Sequence, residues 1–564
     1  MNLFKFSLKL TLQILFVIIF FSSLQAKNLD KFNDGDNISD YFSAILLLND
    51  NQYDESYKFL KKLSGLEKSH ANYSSRYLYS LVNLGKISEA FHYAKKLEKQ
   101  NLDIFESDLI SGVYYLKNNQ AEFAQKYFLK LKNRNSIFVL NKFLANSLFN
   151  WSSFNKLEFS NAQNRINLID TRFENLKNIQ NVFLHCFYKS NKTDFLFKEL
   201  VSGSKTDFSR YNYFYAKYLF NLGKINQAKN IINSSLKLYP RNLLLNQYKS
   251  DLKANVEKNN FDCQNQSHVI AEILYISANA LSSQSLYKFS NFYLNLSKYL
   301  NPGFFSYNTL LAENFYNVEN FKEAKKIYND LGKESAAFNW YAAKQNSIIL
   351  LKEDKTDKAL KLLKNSYEKL KKKSVYEIID YADFLKNNDQ FKKSIIFYTE
   401  LINKIESEHP LYPQAMDGRG IAYERIDEWD KAEKDLLASL DSSPDQAYVI
   451  NYLAYSWIEK GIKVDQSLKM LEKANKLKPN DPYIIDSLGW ALFKLKKYKD
   501  AKKYLQLAVE LMPADSIVND HYGDVLWKNG KKIQARYYWN YVLNLEKTKN
   551  DLKKSIKNKL MSGI

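Results

Sequence analysis

Small and large apolar residues recur along the chain at a fixed spacing, with polar residues between them. From Pro413 to Leu545 a small residue returns at steps of 34, 35 and 34 residues. A second small residue follows each of these after twelve or thirteen positions, and a large apolar residue follows four positions later. In order, these three sets are Gly420, Ala454, Gly489 and Gly523; Ala432, Ser467, Ala501 and Ala535; and Leu436, Leu471, Leu505 and Trp539. A period near 34 with this pattern predicts a solenoid of helical hairpins.

The residue types fit that architecture for a physical reason. A small side chain on each helix lets the two backbones of a hairpin cross closely, and the large residue fills the space between them. Proline cannot continue a helix, so it separates one hairpin from the next. Five of the eight prolines lie twelve residues after the second small residue, and they are Pro240, Pro302, Pro444, Pro479 and Pro513.

The same register continues upstream of Pro413. Small pairs twelve residues apart occur at Ala44/Ser56, Gly112/Ala124, Ala216/Ala228, Ala278/Ser290, Ala312/Ala324, Ser347/Ala359 and Ala382/Ser394, and Leu78/Ala90 is a variant with a larger first member. The gaps leave room for three degenerate units, so we expect about fifteen units in all.

The register divides the chain into segments. They are a signal peptide at 1–26, N-terminal repeats at 27–133, degenerate helical repeats at 134–205, central repeats at 206–404, well-formed C-terminal repeats at 405–545 and a capping helix at 546–564. Within the degenerate part, helices are expected at 165–187 and 195–200, and a connection at 150–154. A lengthened connection containing Glu408–Pro413 is the expected boundary.

Two segments of the C-terminal repeats resemble the consensus of the tetratricopeptide repeat (TPR) family. They are Asp486–Trp490, which reads Asp-Ser-Leu-Gly-Trp, and Tyr498–Ala501, which reads Tyr-Lys-Asp-Ala. The resemblance is strong over 413–545, and the four repeats there are similar to exported bacterial TPR proteins. It implies an all-α, TPR-type helix-turn-helix solenoid, wound as a right-handed superhelix, that acts as a scaffold in the cell envelope without a defined biochemical activity.

The N-terminus is typical of an export signal. Lys5 and Lys9 precede an apolar stretch from Leu10 to Phe21, and small residues allow cleavage after Ala26. The apolar stretch is shorter than the roughly 18–20 residues that a membrane span needs. We expect a periplasmic protein, with an uncleaved anchor and peripheral association with the outer membrane as open alternatives.

Composition narrows the choice of partners. The formal charge is +21, yet only nine of the 82 basic residues are arginine, the usual residue for bidentate phosphate recognition. The lysines alternate with acidic residues, as on solvated helix faces. Nucleic acid is therefore not an expected partner. Cys186 and Cys263 lie 77 residues apart, so a straight solenoid favours two buried thiols over a disulfide.

The sequence lacks the common catalytic and cofactor-binding motifs. The chain lacks a His-Glu-x-x-His zinc motif, a Gly-x-Ser-x-Gly elbow and a dinucleotide fingerprint. We expect no catalytic residue, no cofactor and no metal site. One metal-like cluster, His521 with Asp520 and Asp524, remains as a minor alternative.

The candidate site is the inner face of the C-terminal repeats. In the TPR family, positions 2, 5, 9, 12 and 13 of a unit project into the concave groove. With Gly420, Ala454, Gly489 and Gly523 as position 8, the candidate groove residues are Asp417, Asn451, Asp486 and Asp520 at position 5; Tyr455, Trp490 and Asp524 at position 9; Phe493 and Trp527 at position 12; and Arg425, Lys494 and Lys528 at position 13.

A ladder of acceptor side chains flanked by aromatic rings suits an extended peptide. The leading hypothesis is a non-enzymatic scaffold that binds segments of other envelope proteins. Two alternatives remain open: the position 5 side chains hold the neighbouring helix, or the aromatic rings stack on sugars in an accessory of polysaccharide export or modification.

Overall fold

The computed structural model describes residues 35–70, 72–135, 138–202, 209–254, 256, 260–546 and 548–564. In these residues every regular element is a helix, in agreement with the predicted fold class. The chain divides into two compact units, of which one ends at Lys369 and the other runs from Leu370 to Ile564. The signal segment predicted at 1–26 lies outside the described residues.

The first unit holds nineteen α-helices within its described residues. They are α1 (Gly35–Asn49), α2 (Tyr53–Lys62), α3 (Tyr73–Asn83), α4 (Ile87–Lys99), α5 (Phe105–Lys117), α6 (Ala121–Asn133), α7 (Val139–Ser153), α8 (Phe159–Asn167), α9 (Glu174–Phe187), α10 (Thr193–Ser202), α11 (Ser209–Asn221), α12 (Ile225–Leu238), α13 (Leu243–Ala254), α14 (Gln266–Ser282), α15 (Tyr287–Leu300), α16 (Tyr307–Asn317), α17 (Phe321–Leu331), α18 (Ala336–Lys352) and α19 (Thr356–Lys369).

The second unit holds eleven α-helices within its described residues. They are α20 (Val375–Lys386), α21 (Phe391–Ile402), α22 (Tyr412–Glu424), α23 (Trp429–Ser442), α24 (Ala447–Glu459), α25 (Val464–Leu477), α26 (Pro482–Lys494), α27 (Tyr498–Leu511), α28 (Ser516–Lys528), α29 (Lys532–Asn544) and α30 (Asn550–Ser562). The lengthened connection expected near Glu408–Pro413 joins α21 to α22 inside this unit.

The small residues lie where the two helices of a hairpin meet, as the register predicts. The Ser56 hydroxyl of α2 donates a hydrogen bond to the carbonyl of Ala44 in α1, 2.8 Å away, and both residues are fully buried. A Cβ added at Gly489 would lie 2.7 Å from the Leu505 side chain, and one at Gly523 would lie 2.5 Å from the Trp539 ring. These separations are too short for a larger side chain, so the glycines set the crossing distance.

Chain order pairs the described helices into fourteen hairpins, and only α13 and α30 stand outside them. The degenerate segment supplies two of the hairpins, α7–α8 and α9–α10. The third degenerate unit consists of the lone helix α13. At the C-terminus, α30 places Leu552, Ile556 and Leu560 on the core of the last hairpin, which covers its apolar side.

Two local expectations in the degenerate segment are wrong. Residues 150–153 form the last turn of α7 rather than a connection, because Trp151 is buried and donates its indole N–H to Gln180, 3.0 Å away. The helix expected over 165–187 is broken between α8 and α9. The Asp170 side chain accepts the Arg172 amide there and starts a short 3₁₀ turn.

The inner side of the first unit is not the open channel that a regular solenoid predicts. Helix α15 packs against α3 and α5, and α14 packs against α7. The amide of Asn291 donates to the Tyr53 hydroxyl at 3.1 Å, and the Lys117 ammonium donates to the Leu300 carbonyl at 3.1 Å. The chain therefore turns back and fills its own inner face.

This turning back also corrects the prediction of two free thiols. Cys186, near the end of α9, forms a disulfide with Cys263, in the connection before α14, and their Cα atoms are 5.9 Å apart. The prediction failed because it treated 77 residues as distance along a straight axis, whereas the two segments are neighbours in the folded unit.

Candidate functional site

The inner face of the second unit is lined by the first helix of each hairpin. These first helices contact one another directly, as α20 does with α22, α24 with α26 and α26 with α28. The second helices of successive hairpins make no comparable contacts in the described residues. Because the first helices are closer together, they lie on the tighter side of the curved stack.

Asp486, at position 5, points toward the next first helix and is engaged there. Its carboxylate accepts a hydrogen bond from Nδ1–H of His521, 2.9 Å away, and both side chains are buried. Burial lowers the pKa of His521, but the charges of Asp486, Asp520 and Asp524 outweigh it and raise that pKa above the usual range. This contact joins α26 to α28.

Asp520 and Asp524 are engaged in the same way by the C-terminal helix. The Lys559 ammonium donates to Asp520 at 2.7 Å and to both oxygens of Asp524 at 2.8 Å, and Asp524 also accepts the Trp539 indole N–H at 3.0 Å. Burial and the charge of Asp520 raise the pKa of Asp524 to about 6, against the opposing charge of Lys559. An ammonium group thus occupies the place between the two carboxylates where the sequence left a metal ion as an alternative.

The other two residues at position 5, Asn451 and Asp417, lie nearer the start of the second unit. Asn451 is half-buried, and its side-chain oxygen is enclosed without a hydrogen-bond donor. Burial raises the pKa of Asp417 to about 6, the charge of Lys386 opposes the shift, and the charge of Asp383 adds to it. Asp383 itself accepts the side-chain amide of Gln414 at 2.7 Å.

The raised pKa of Asp417 predicts a pH-dependent effect of its replacement. A carboxyl with a pKa near 6 in the folded chain and near 4 when unfolded stabilises the fold below pH 4, and this contribution is lost as the pH rises through 6. Asp417→Asn removes the desolvated charge. We expect its melting temperature to exceed that of the native chain at pH 7.5 and to match it at pH 4.

Thermal scans of both proteins at the two pH values check this expectation. Asp430→Asn is the matched control, because Asp430 is exposed on α23 of the same hairpin. A stabilisation by Asp417→Asn of equal size at both pH values would contradict the assignment, since titration of Asp417 could not cause it.

The aromatic residues of the candidate site are largely covered by neighbours. Trp490 is buried, its ring stacks on His521 with centroids 3.9 Å apart and on Phe493 with centroids 4.7 Å apart, and its indole N–H donates to Glu459 at 2.5 Å. Trp527 packs against Trp539, with ring centroids 5.4 Å apart. Tyr455 is half-buried. The stack of Trp490 on His521 joins two repeats, whereas the contact of Trp527 with Trp539 lies within one hairpin.

The charged residues at position 13 remain exposed at the edge of the face. Arg425 lies 3.6 Å from Glu424, Lys494 lies 3.7 Å from Glu459, and the Lys528 ammonium donates to the backbone carbonyl of Ile564 at 2.9 Å. At this exposure the ion pairs add little stability, so these side chains can exchange partners.

Position 2 carries exposed side chains that the sequence analysis did not select. Tyr448 is 53% exposed, Tyr483 57% and Ile517 44%, and each stands one repeat from the next on a first helix. The equivalent residue of the preceding repeat, Gln414, is also exposed. The sequence could have identified these residues, because the repeat period assigns position 2 in each unit in the same way as position 5.

Two further findings concern the described part of the chain. It contains no group of three or more histidine, cysteine, aspartate or glutamate side chains placed to hold a metal ion. None of its helices combines the length and the apolar character needed to cross a bilayer. The expectation that the chain is not an enzyme stays a prediction.

Comparison with known proteins supports the repeat assignment. No family model matches the chain. A TPR repeat-containing protein of Pseudomonas aeruginosa is 29% identical over 157 residues, which is 28% of this chain and 26% of that protein. The match thus spans about a quarter of the relative's length.

Solved structures of TPR proteins also superimpose on parts of the chain. A tetratricopeptide repeat protein from Parabacteroides merdae covers 45% of this chain and 97% of its own, at 14% identity and a TM-score of 0.38. YrrB, described as a TPR protein with an unusual peptide-binding site, covers 33% of this chain and 92% of its own, at 15% identity and a TM-score of 0.27. At these identities and TM-scores the similarity does not indicate a function for this chain.

The stacked hairpins and their small-residue crossings define an all-α helical repeat solenoid. The 34-residue period and the sequence match over 157 residues specify the class further. Over the matched residues the chain is similar to tetratricopeptide repeat proteins.

Proposed function

We propose that this protein is a non-enzymatic scaffold that binds an extended segment of another protein on the inner face of its C-terminal repeats. The observation that carries the proposal is the exposed row at position 2, which presents two tyrosines and an isoleucine at one-repeat intervals. Tyrosine and isoleucine give a partner apolar contact area at low cost in side-chain entropy.

The position 5 ladder has a different role in this proposal from the one first considered. Asp486 and Asp520 already accept hydrogen bonds from His521 and Lys559, so they are not free to accept backbone N–H groups of a peptide. The Asn451 side-chain oxygen is enclosed and Asp417 is half-buried, so the exposed side chains of Gln414, Tyr448 and Tyr483 carry the binding. Binding is therefore centred on α22, α24 and α26.

The site of action is proposed to be the periplasm. Support comes from the N-terminal pattern of Lys5, Lys9 and the apolar stretch after them, and from a disulfide that persists in oxidising compartments. The alternative of sugar stacking has weaker support, because the face of Trp490 lies against His521 and Phe493 and is not open to a sugar ring.

The test is site-specific photo-crosslinking in cells that express the full chain. A photoreactive residue at Tyr448 or Tyr483 is expected to yield a discrete protein adduct whose crosslinked peptide can be sequenced. The matched control carries the same residue at Lys434, which is exposed on the second helix α23. The proposal fails if neither inner position gives an adduct or if Lys434 gives the same one.

A further inference from the structure

The turns between the two helices of the last two hairpins form a basic surface. Lys496, Lys497 and Lys499 stand at the turn into α27, and Lys531 stands at the turn into α29. All four are exposed, and within the described residues none of them has a carboxylate within ion-pair distance. Their charges are therefore not neutralised by the chain itself.

The two turns make one continuous surface. The side-chain amide of Asn529 in the later turn donates to the backbone carbonyl of Tyr498 at the start of α27, 2.9 Å away. The ammonium of Lys531 lies close enough to Lys502 to lower the pKa of Lys502, with partial burial adding to the shift. Two ammonium groups held together in this way create a local excess of positive charge.

An exposed apolar stripe adjoins this basic surface. Ile533 follows Lys531 and Lys532 directly and is 87% exposed, and Tyr537, one turn further along α29, is 67% exposed. Side chains four residues apart share one face of a helix. Most of the surface of both side chains therefore faces solvent beside the basic turn.

We infer that this surface docks on an anionic lipid bilayer. The positive charges are lysines spread over two turns, whereas a site for a single phosphate usually holds an arginine that binds it in a bidentate way. Spread charges of this kind suit a bilayer surface, which presents many anionic headgroups. An aliphatic side chain and a tyrosine beside the charges suit the interface between headgroups and acyl chains. The inference is independent of the proposed peptide binding, which uses the first helices.

The test is cosedimentation of the full chain with vesicles. We expect binding to phosphatidylglycerol/phosphatidylcholine vesicles and little binding to phosphatidylcholine alone. Each lysine near an anionic surface contributes about fivefold to the affinity, so Lys496→Gln/Lys497→Gln/Lys531→Gln is expected to weaken binding about a hundredfold. Ile533→Ser is expected to weaken it by about tenfold.

Matched controls separate this surface from the overall charge of the protein. Lys371→Gln/Lys372→Gln/Lys392→Gln removes three exposed lysines elsewhere in the second unit, and Ile396→Ser removes an exposed isoleucine from α21. Both controls should bind vesicles as the native chain does, and all variants should keep its melting temperature.

Three outcomes would overturn the inference. One is the absence of binding by the native chain to the anionic vesicles at 50 mM salt, a low ionic strength. The second is an equal loss of binding in the variants and in their matched controls. The third is tighter binding of the same lysines to a single-stranded oligonucleotide than to the vesicles, which would assign the surface to nucleic acid.

Discussion

Replacing Lys559 with methionine is expected to lower the free energy of unfolding of the second unit by about 3 kcal/mol at neutral pH. The native ammonium lies between Asp520 and Asp524, and all three side chains are largely buried. Methionine keeps the length of the side chain but removes the ammonium that pairs with both carboxylates. The C-terminal helix α30 should then detach and expose the core beneath Ile556.

The loss should depend on pH in a defined direction. The pKa of Asp524 is already raised to about 6, and removal of the ammonium raises it further. The variant then binds a proton on folding, so its deficit should shrink as the pH falls from 7 to 5. Hydrogen exchange of α28 and α30 across this range measures the effect locally.

Lys557→Met is the matched control for this prediction. Lys557 lies on the same helix and is exposed, so its replacement should leave exchange unchanged. A Lys559→Met protein with native exchange rates in α30 at pH 7 would contradict the contact, and so would a deficit that grows toward pH 5.

Removal of the disulfide is expected to destabilise the first unit by about 4 kcal/mol. The bond between Cys186 and Cys263 spans 77 residues, and a crosslink of that span removes a large loop entropy from the unfolded chain. It also ties α9 to the segment that leads into α14, the helix that turns back onto α7. Cys186→Ala/Cys263→Ala should therefore accelerate hydrogen exchange in α14.

Two observations complete this test. Reduction of the native protein should give the same exchange pattern as the double variant, and thiol titration after denaturation should find two cysteines only under reducing conditions. Exchange in the second unit serves as the internal control and should not change. If the native protein shows two free thiols without a reductant, the disulfide and the packing it stabilises are wrong.

The hairpins themselves could be predicted because their contacts are local in sequence. A small residue meets a partner about sixteen positions later, as Gly489 meets Leu505 and Gly523 meets Trp539, and such pairs recur with the period. Periodicity reports contacts of this kind, so it placed the helices, their crossings and the terminal helix.

Contacts between distant repeats could not be predicted in this way. The return of α15 onto α3 brings Asn291 to Tyr53, which is 238 residues away, and no periodic pattern encodes that separation. The disulfide depends on the same return, and it was missed for the same reason.

The candidate site stands between these two cases. The position 5 side chains recur with the period, but the sequence did not determine their direction, because one helix face can point to the groove or to the next helix. Asp486 and His521 are one repeat apart, so alignment of successive first helices could have revealed their contact. The sequence analysis kept both roles for these side chains as alternatives: holding the neighbouring helix and binding a peptide.

The most direct test compares two sets of variants in binding to the peptide identified by crosslinking at Tyr448. Tyr448→Ala/Tyr483→Ala should raise the Kd at least tenfold and leave the melting temperature unchanged, since both side chains are exposed. Asp486→Asn should lower the melting temperature, because it weakens the contact with His521, and should leave the Kd of the folded protein unchanged. The reverse result, with binding lost on replacement of Asp486 and kept without the tyrosines, would show that the ligand contacts the ladder and not the exposed row.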